Sequence, residues 1–416
     1  MTNEVTDICK RAAACAPRLA GLDTRTKNDA LLAMADALLD ATDELIAANT
    51  SDRERAAAEG TAETMLDRLT LGPSRLASMA EGLRAVAAQD DPVGEIVSEW
   101  KRPNGLAIEQ VRAALGVVAV IYEARPNVTS DVAGLCLKSG NAAVLRGSSI
   151  ALDSNRAIVK VLRDALRSAG VEPDAVQLIP DVGREAALEL MKAKGLVDLL
   201  VPRGGAALIA SVEAHATVPF IIDGDGNCHI YVDSSADEDM ATAIVVNSKT
   251  QRPSVCNALE TLVVHEGLVG QWLSAALDEL SSRGVEIRGD ERVVDVWPKA
   301  TVATEQDWAS EYLDLVLAVK VVSSFAEAIA HINTYGTANA EGIVTTDRDC
   351  ARRFAAEIDA GSVFINASTR FSDGGEFGYG AEIGISTQKL HARGPMGLRA
   401  LTSTKYIVWG DGHTRS

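Results

Sequence analysis

Residues 116–147 read GVVAVIYEARPNVTSDVAGLCLKSGNAAVLRG. Gly116 to Ile121 is a continuous apolar run, short enough for a strand buried on both faces. A helical pattern follows from about Asn127 to Ser139 and stops at Gly140, and a second apolar run, Ala142 to Leu145, comes directly after it. Two such strands joined by a helix make a parallel pair. The alternation continues with a helix from about Asp153 to Ala169, AVQLI (175–179), a helix closing at Gly195, VDLLV (197–201), a helix from about Gly204 and VPFII (218–222). Five apolar runs separated by helices predict an α/β fold with a doubly wound parallel sheet. Ligands of such sheets bind beyond the carboxyl ends of the strands, here loops 122–127, 146–152, 180–183 and 202–205.

Working outward, a second α/β unit begins near His229. Its expected strands are HIYVD (229–233), ETLVV (260–264), VEIR (285–288), LVLAVKVV (315–322), GIVTT (342–346) and SVFIN (362–366), with helices over about 236–248, 268–282, 324–334 and 348–358. The first hundred residues read as helices. Leu31, Leu32, Ala35, Leu38 and Leu39 share one face, with Thr26 as a possible cap and Pro73 as a first helical residue. Residues 93–115 alternate apolar and polar in two arms around Arg102-Pro-Asn-Gly105. This predicts a hairpin with one apolar face, suited to packing on a second subunit. KYIVW (405–409) reads as a terminal strand.

The 416 residues correspond to about two to three domains. A hydrophobic content of 47% excludes general disorder. Forty Lys and Arg against 58 Asp and Glu leave a net charge of −18, which excludes general nucleic-acid binding because a phosphate backbone would be repelled. The longest apolar run, Ala113 to Tyr122, is about half of what a bilayer requires, and the N-terminus shows no signal-peptide pattern. The six cysteines have no CxxC or regular spacing and the six histidines include no HExxH, so neither a disulfide framework nor a metal site is expected. A cytoplasmic location fits best.

Chemistry concentrates in Lys249-Thr-Gln-Arg-Pro-Ser-Val-Cys256-Asn-Ala-Leu-Glu260. Pro253 ends the preceding helix and a strand starts soon after, placing Cys256 on a turn where Lys249 and Arg252 could lower a thiol pKa and favour the nucleophilic thiolate. The competing reading is an inert, small buried side chain. Arg146-Gly-Ser-Ser149 enters a helix, so backbone amides and a guanidinium could meet a phosphate; Pro202-Arg-Gly-Gly205 repeats the pattern. Each could equally be an ordinary glycine-bearing turn. No GxGxxG follows the first strand, which disfavours an ordinary Rossmann dehydrogenase.

Over nearly its whole length the chain resembles the γ-glutamyl phosphate reductase (glutamate-5-semialdehyde dehydrogenase) family of the aldehyde dehydrogenase superfamily. The resemblance is carried by residues 120–147, 249–261 and 366–398, with VDLLVPRGG (197–205) and GNCHIYVD (226–233). It implies an aldehyde dehydrogenase-like fold of two doubly wound parallel-sheet domains plus an oligomerisation hairpin. The NADPH-binding domain would be residues 1–92 and 116–228, the catalytic domain 229–368, and the oligomerisation element 93–115 and 399–416. The implied reaction is NADPH-dependent reduction of L-glutamyl 5-phosphate to L-glutamate 5-semialdehyde, with phosphate released, on the route to proline. A homo-oligomer (dimer or tetramer) and contact with the glutamate 5-kinase that supplies the substrate are implied too.

Under this resemblance Cys256 is the nucleophile that forms a thioester, and its backbone amide is one oxyanion donor. Asn127 is the chemically suitable second donor, although an ungapped count from Gly116 lands on Arg125, and Asn127 could instead cap the helix that follows. Arg146, Gly147 and Ser148 match the superfamily's cofactor loop. Ser149 stands where NAD-preferring members often carry an acid, so the 2′-phosphate of NADPH is tolerated. Arg203, Gly204 and Gly205 match the nicotinamide-end segment, and Glu311 the ribose-binding Glu, unless it merely opens a strand. Substrate anions would be met by Arg252, Arg370, His391 and Arg393, each of which could otherwise form a surface ion pair. Hydrolytic relatives carry a Glu base in a Glu-Leu-Gly-Gly segment; this chain has Asp223-Gly-Asp-Gly226, and losing a water-activating base suits an acyl-phosphate reductase. Asp223 as a substitute base is the lesser reading. Tyr335-Gly-Thr-Ala-Asn339 departs from the family's Tyr-Gly-Ser-Gly-His. The alternatives are a hydrolytic aldehyde dehydrogenase and a non-catalytic cofactor-binding protein on the same fold.

Overall fold

The computed structural model describes residues 4–415. The chain forms two units, one running to Asp223 and taking in Gly378–Gly384 and the chain from Met396 on, the other Gly224–Phe377 with Ile385–Pro395. The hairpin clusters with the first unit, and the second begins at Gly224 where His229 was expected.

The first unit opens with helices α1 (Glu4–Ala20), α2 (Thr24–Asp40), α3 (Thr42–Ala58), α4 (Glu63–Leu69) and α5 (Pro73–Ala88). Pro73 is the first helical residue as expected, whereas α2 is capped by Asp23, which accepts from the Thr26 amide. The hairpin strands β1 (Ile96–Lys101) and β2 (Ala107–Ala114) pair antiparallel, and the C-terminal strand Thr402–Trp409 joins β2 to complete a three-stranded sheet. This sheet leaves Ile96, Val97, Trp100, Tyr406, Val408 and Trp409 exposed.

The α/β part follows as β3 (Val117–Tyr122), α6 (Asn127–Lys138), β4 (Ala142–Arg146), α7 (Leu152–Ser168), β5 (Val176–Leu178), α8 (Arg184–Met191), β6 (Leu199–Arg203) and α9 (Ala206–His215). The parallel sheet has the order β5-β4-β3-β6, with β3 buried along its whole length. VPFII (218–222) does not add a fifth strand. It meets β6 only in a Leu200–Phe220 bridge, and its second residue, Pro219, has no N–H to donate.

The second unit contains β7 (Cys228–Val232), α10 (Glu238–Thr250), β8 (Leu259–His265), α11 (Ser274–Ser282), β9 (Glu286–Gly289), α12 (Glu291–Val296), β10 (Thr301–Val302), α13 (Glu305–Trp308), β11 (Val316–Val322), α14 (Phe325–Tyr335), β12 (Ala340–Val344), α15 (Arg348–Glu357) and β13 (Ser362–Ile365). Its seven strands are parallel in the order β10-β9-β11-β8-β7-β12-β13. Apolar clusters cover both faces, one built on α10 and α11 and one on α14 and α15. β8 lies near the middle of the sheet, so the loop that feeds it is held on both sides by neighbouring strands.

Candidate active site

Cys256 lies on the turn between α10 and β8, reduced and half-buried. Its backbone is held tightly. A Cβ built on Gly226 would stand 1.7 Å from the Cys256 carbonyl oxygen, so only glycine lets the two backbones approach. The Cys228 thiol donates to the same carbonyl at 3.2 Å, and burial holds that thiol protonated, well above its ordinary pKa. Neither contact is legible in the sequence, because Gly226 and Cys228 are brought to Cys256 by the sheet.

The segment Ser368–Ser372 is stitched onto this loop. The hydroxyls of Ser248 and Ser368 lie 2.8 Å apart, Thr369 Oγ1 donates to the Asn257 carbonyl at 2.8 Å, and Asn257 Nδ2 donates to the Ser372 carbonyl at 2.8 Å. Arg370 Nε donates to Gln251 Oε1 at 2.9 Å. These bonds bring Arg370 beside Arg252 and Cys256, from more than a hundred residues away in sequence. Burial, and then repulsion from Arg252, depress the Arg370 guanidinium, while Asp373 and Cys256 act in the opposite sense. Two guanidinium groups that repel each other near a thiol form a local anion site, which an incoming anion would relieve.

The other proposed substrate contacts are arranged differently. Arg393 Nη2 donates to Asp359 Oδ1 at 2.8 Å, in an ion pair shared with Lys389. His391 is exposed. Glu311 lies half-buried before β11, close enough to Glu260 to raise that carboxyl. Asn339, where the family pattern has His, is fully buried before β12.

In the first unit, Arg146 ends β4 and its Nη2 donates to the Gly183 carbonyl at 3.0 Å and also to that of Val182. The expected meeting of a phosphate with the amides that open α7 is also altered. Asp52 of α3 already accepts from the Ser154 amide at 2.8 Å and from that of Asp153 at 3.3 Å, so these donors are spent. What remains in this loop is a buried Ser148 hydroxyl and Arg146 Nε without partners, next to Gly147, where a Cβ would meet Asn155 Nδ2 at 2.2 Å. Buried unmet polar atoms beside a bare backbone suit a polar ligand. Arg203 pairs with Asp223, and Gly204 and Gly205 lead into α9.

Asn127 is exposed at the first turn of α6. Its side chain does not cap the helix; Nδ2 donates instead to Asp131 Oδ2 at 3.0 Å. Burial pushes the Asp131 carboxyl up to about 6, against the Asn127 bond and the charge of Arg203. One N–H of Asn127 is thereby committed, and the neighbouring Arg125 is exposed.

The model of the aldehyde dehydrogenase family matches residues 1–301 and 293–407. The γ-glutamyl phosphate reductase of Thermobifida fusca is 54% identical over 99% of both chains, and that of Moorella thermoacetica 55% identical over 98% of this chain and 97% of its own. The crystal structure of γ-glutamyl phosphate reductase from Thermotoga maritima superposes with a TM-score of 0.97 at 45% identity, covering 99% of this chain and 100% of that one. An acetylating aldehyde dehydrogenase from Geobacillus thermoglucosidasius shares the fold at 17% identity, with a TM-score of 0.70 over 99% of this chain and 98% of its own.

Two predictions follow from these contacts. Gly226→Ala should fold but displace the Cys256 peptide, lowering turnover at least about 100-fold; turnover within tenfold of wild type would show that the loop yields to a methyl group. Because the folded-state value of Asp131 is raised, its favourable contribution to stability is complete below about pH 4 and is lost as pH rises through about 6. The thermal midpoint of Asp131→Asn should therefore gain on wild type between about pH 4.5 and pH 7. Parallel curves would refute the burial argument.

Proposed function

We infer that this chain, which belongs to the aldehyde dehydrogenase family and within it to the γ-glutamyl phosphate reductases, reduces L-glutamyl 5-phosphate to L-glutamate 5-semialdehyde with release of phosphate, a step of proline biosynthesis. The observation that carries the chemistry is the convergence of Cys256, Arg252 and Arg370 on two stitched loops.

In our reading the Cys256 thiolate attacks the acyl carbon of the mixed anhydride. The bond from that carbon to the phosphate oxygen breaks, its electron pair leaves on phosphate, and a thioester remains. Arg252 and Arg370 hold the anionic groups of the substrate, and their positive charge favours the departing phosphate. The Cys256 amide stabilises the oxyanion, a contribution of a few kcal/mol. A bound reduced nicotinamide supplies the hydride. The thiohemiacetal oxyanion then re-forms the carbonyl, and the thiolate is expelled with the C–S electron pair.

The first unit is the cofactor domain and the second carries the nucleophile. Ser148, Gly147 and Arg146 line the cofactor loop, Arg203, Gly204 and Gly205 the nicotinamide end, and Glu311 a ribose. Ser149 is exposed, with no acid in its place to repel a 2′-phosphate, which supports NADPH as the reductant. Among the described residues no helix is long and apolar enough to cross a membrane, and cysteines free of disulfides suit a cytoplasmic location.

Glutamate semialdehyde, NADP⁺ and phosphate should yield NADPH, seen as absorbance at 340 nm. Omitting phosphate or introducing Cys256→Ala should abolish the signal, and NAD⁺ should serve at least about tenfold less well. Turnover without phosphate would point to hydrolytic deacylation, and retained turnover in Cys256→Ala would remove the nucleophile assignment.

The exposed apolar face of β1, β2 and the C-terminal strand supports a homo-oligomer. Trp409→Asp with Tyr406→Asp should shift the sedimenting species toward monomer. An unchanged species would place the interface elsewhere.

A further inference from the structure

Lys249 lies in the last turn of α10 and Glu260 is the second residue of β8, so the two residues bracket the nucleophile loop. Both side chains are completely buried, with Lys249 Nζ 2.7 Å from Glu260 Oε2. The second carboxylate oxygen, Oε1, accepts from the Leu313 amide at 3.2 Å. Leu313 holds a φ of +55°, a left-handed conformation that a leucine adopts only when its surroundings impose it. Glu311 lies two residues before it. One carboxylate is thus bonded on one side to the far end of the nucleophile loop and on the other to a strained residue in the Glu311 segment.

A salt bridge at this depth is not explained by stability. Desolvation offsets most of the attraction of a buried pair, and apolar replacements of similar volume are often neutral or stabilising. The tension is visible here, because burial pushes the Glu260 carboxyl up to about 7 and the Lys249 ammonium down, each opposed by the other's charge. What an apolar pair would lack is direction. Glu260 orients two bonds at fixed angles, and Lys249 saturates the oxygen that would otherwise be free to turn.

We propose that Lys249 and Glu260 are a positioning pair that sets the Cys256 loop and, through the Leu313 amide, the Glu311 segment, so that nucleophile and cofactor contact are held in register by one carboxylate. The proposal rests on the assignment of Cys256 as nucleophile and Glu311 as a cofactor contact.

The test is steady-state kinetics of Lys249→Met/Glu260→Leu with glutamate semialdehyde, NADP⁺ and phosphate, beside its thermal midpoint. We expect a folded protein whose kcat falls at least tenfold and whose KM for NADP⁺ rises at least fivefold, with the KM for the aldehyde within twofold of wild type. A purely structural pair would move the midpoint and leave this split untouched. A folded variant with wild-type kcat and NADP⁺ KM overturns the proposal, and a kcat loss with unchanged NADP⁺ KM overturns the link through Leu313. If the double variant does not fold, Glu260→Gln, which keeps size and shape, is held to the same criteria. Glu311→Gln separates the two readings. Should it leave the NADP⁺ KM unchanged, the Glu311 assignment fails and kcat alone judges the pair.

Discussion

The carbonyl of Cys256 has two neighbours that leave it little freedom, the backbone of Gly226 on one side and the donating thiol of Cys228 on the other. Gly226 and Cys228 flank the start of β7, and Cys256 precedes β8, which pairs with β7 in the sheet. Cys256 is thus fixed by its main chain, through contacts between adjacent strands of the sheet of the second unit. Main-chain anchoring ties the loop to that sheet. It also transfers the rigidity of the sheet to the reacting atom, which effective catalysis requires.

The charge balance places a second demand on the same loop. A chain with a net charge of −18 repels a substrate that carries a carboxylate and a phosphate. The remedy is local and costly in its own terms, because burial and then the charge of Arg252 depress the Arg370 guanidinium. Hydrogen bonds from Arg370 to Gln251, from the Thr369 hydroxyl to the Asn257 carbonyl and from the Asn257 side-chain amide to the Ser372 carbonyl hold the pair together despite this repulsion. Repulsion between two guanidinium groups is the kind of strain that an anion set between them relieves. By contrast Arg393 already has its anion in Asp359, a neutralised arrangement with less to gain from substrate.

Much of this fold was legible because its strands are buried on both faces and read as unbroken apolar runs. β3, β4 and β6 in the first unit and β7, β8 and β11 in the second fall where those runs predict them. VPFII failed for a reason visible in its own letters, since the proline at its second position removes a ladder donor that a strand needs. Side-chain destinations were less legible. Arg146 looked like a phosphate contact, yet its Nη2 braces the loop after β5; the helix opening that should have served the phosphate is occupied by Asp52 from a distant helix. Both depend on tertiary neighbours far away in sequence. The Lys249–Glu260 pair was hidden for the same reason. Its members stand at the two ends of the quoted loop, but their burial and the third partner, Leu313, are decided by the sheet.

The fate of the thioester turns on what is kept away from it. Hydrolysis needs a carboxylate able to take a proton from water, and the sequence offers Asp223 where hydrolytic relatives carry Glu. In the fold Asp223 is committed to Arg203, at the end of β6. The segment 223–226 thus presents an ion-paired Asp where hydrolytic relatives carry Glu, and the loss of that Glu suits a thioester that leaves by hydride in one direction and by phosphate in the other.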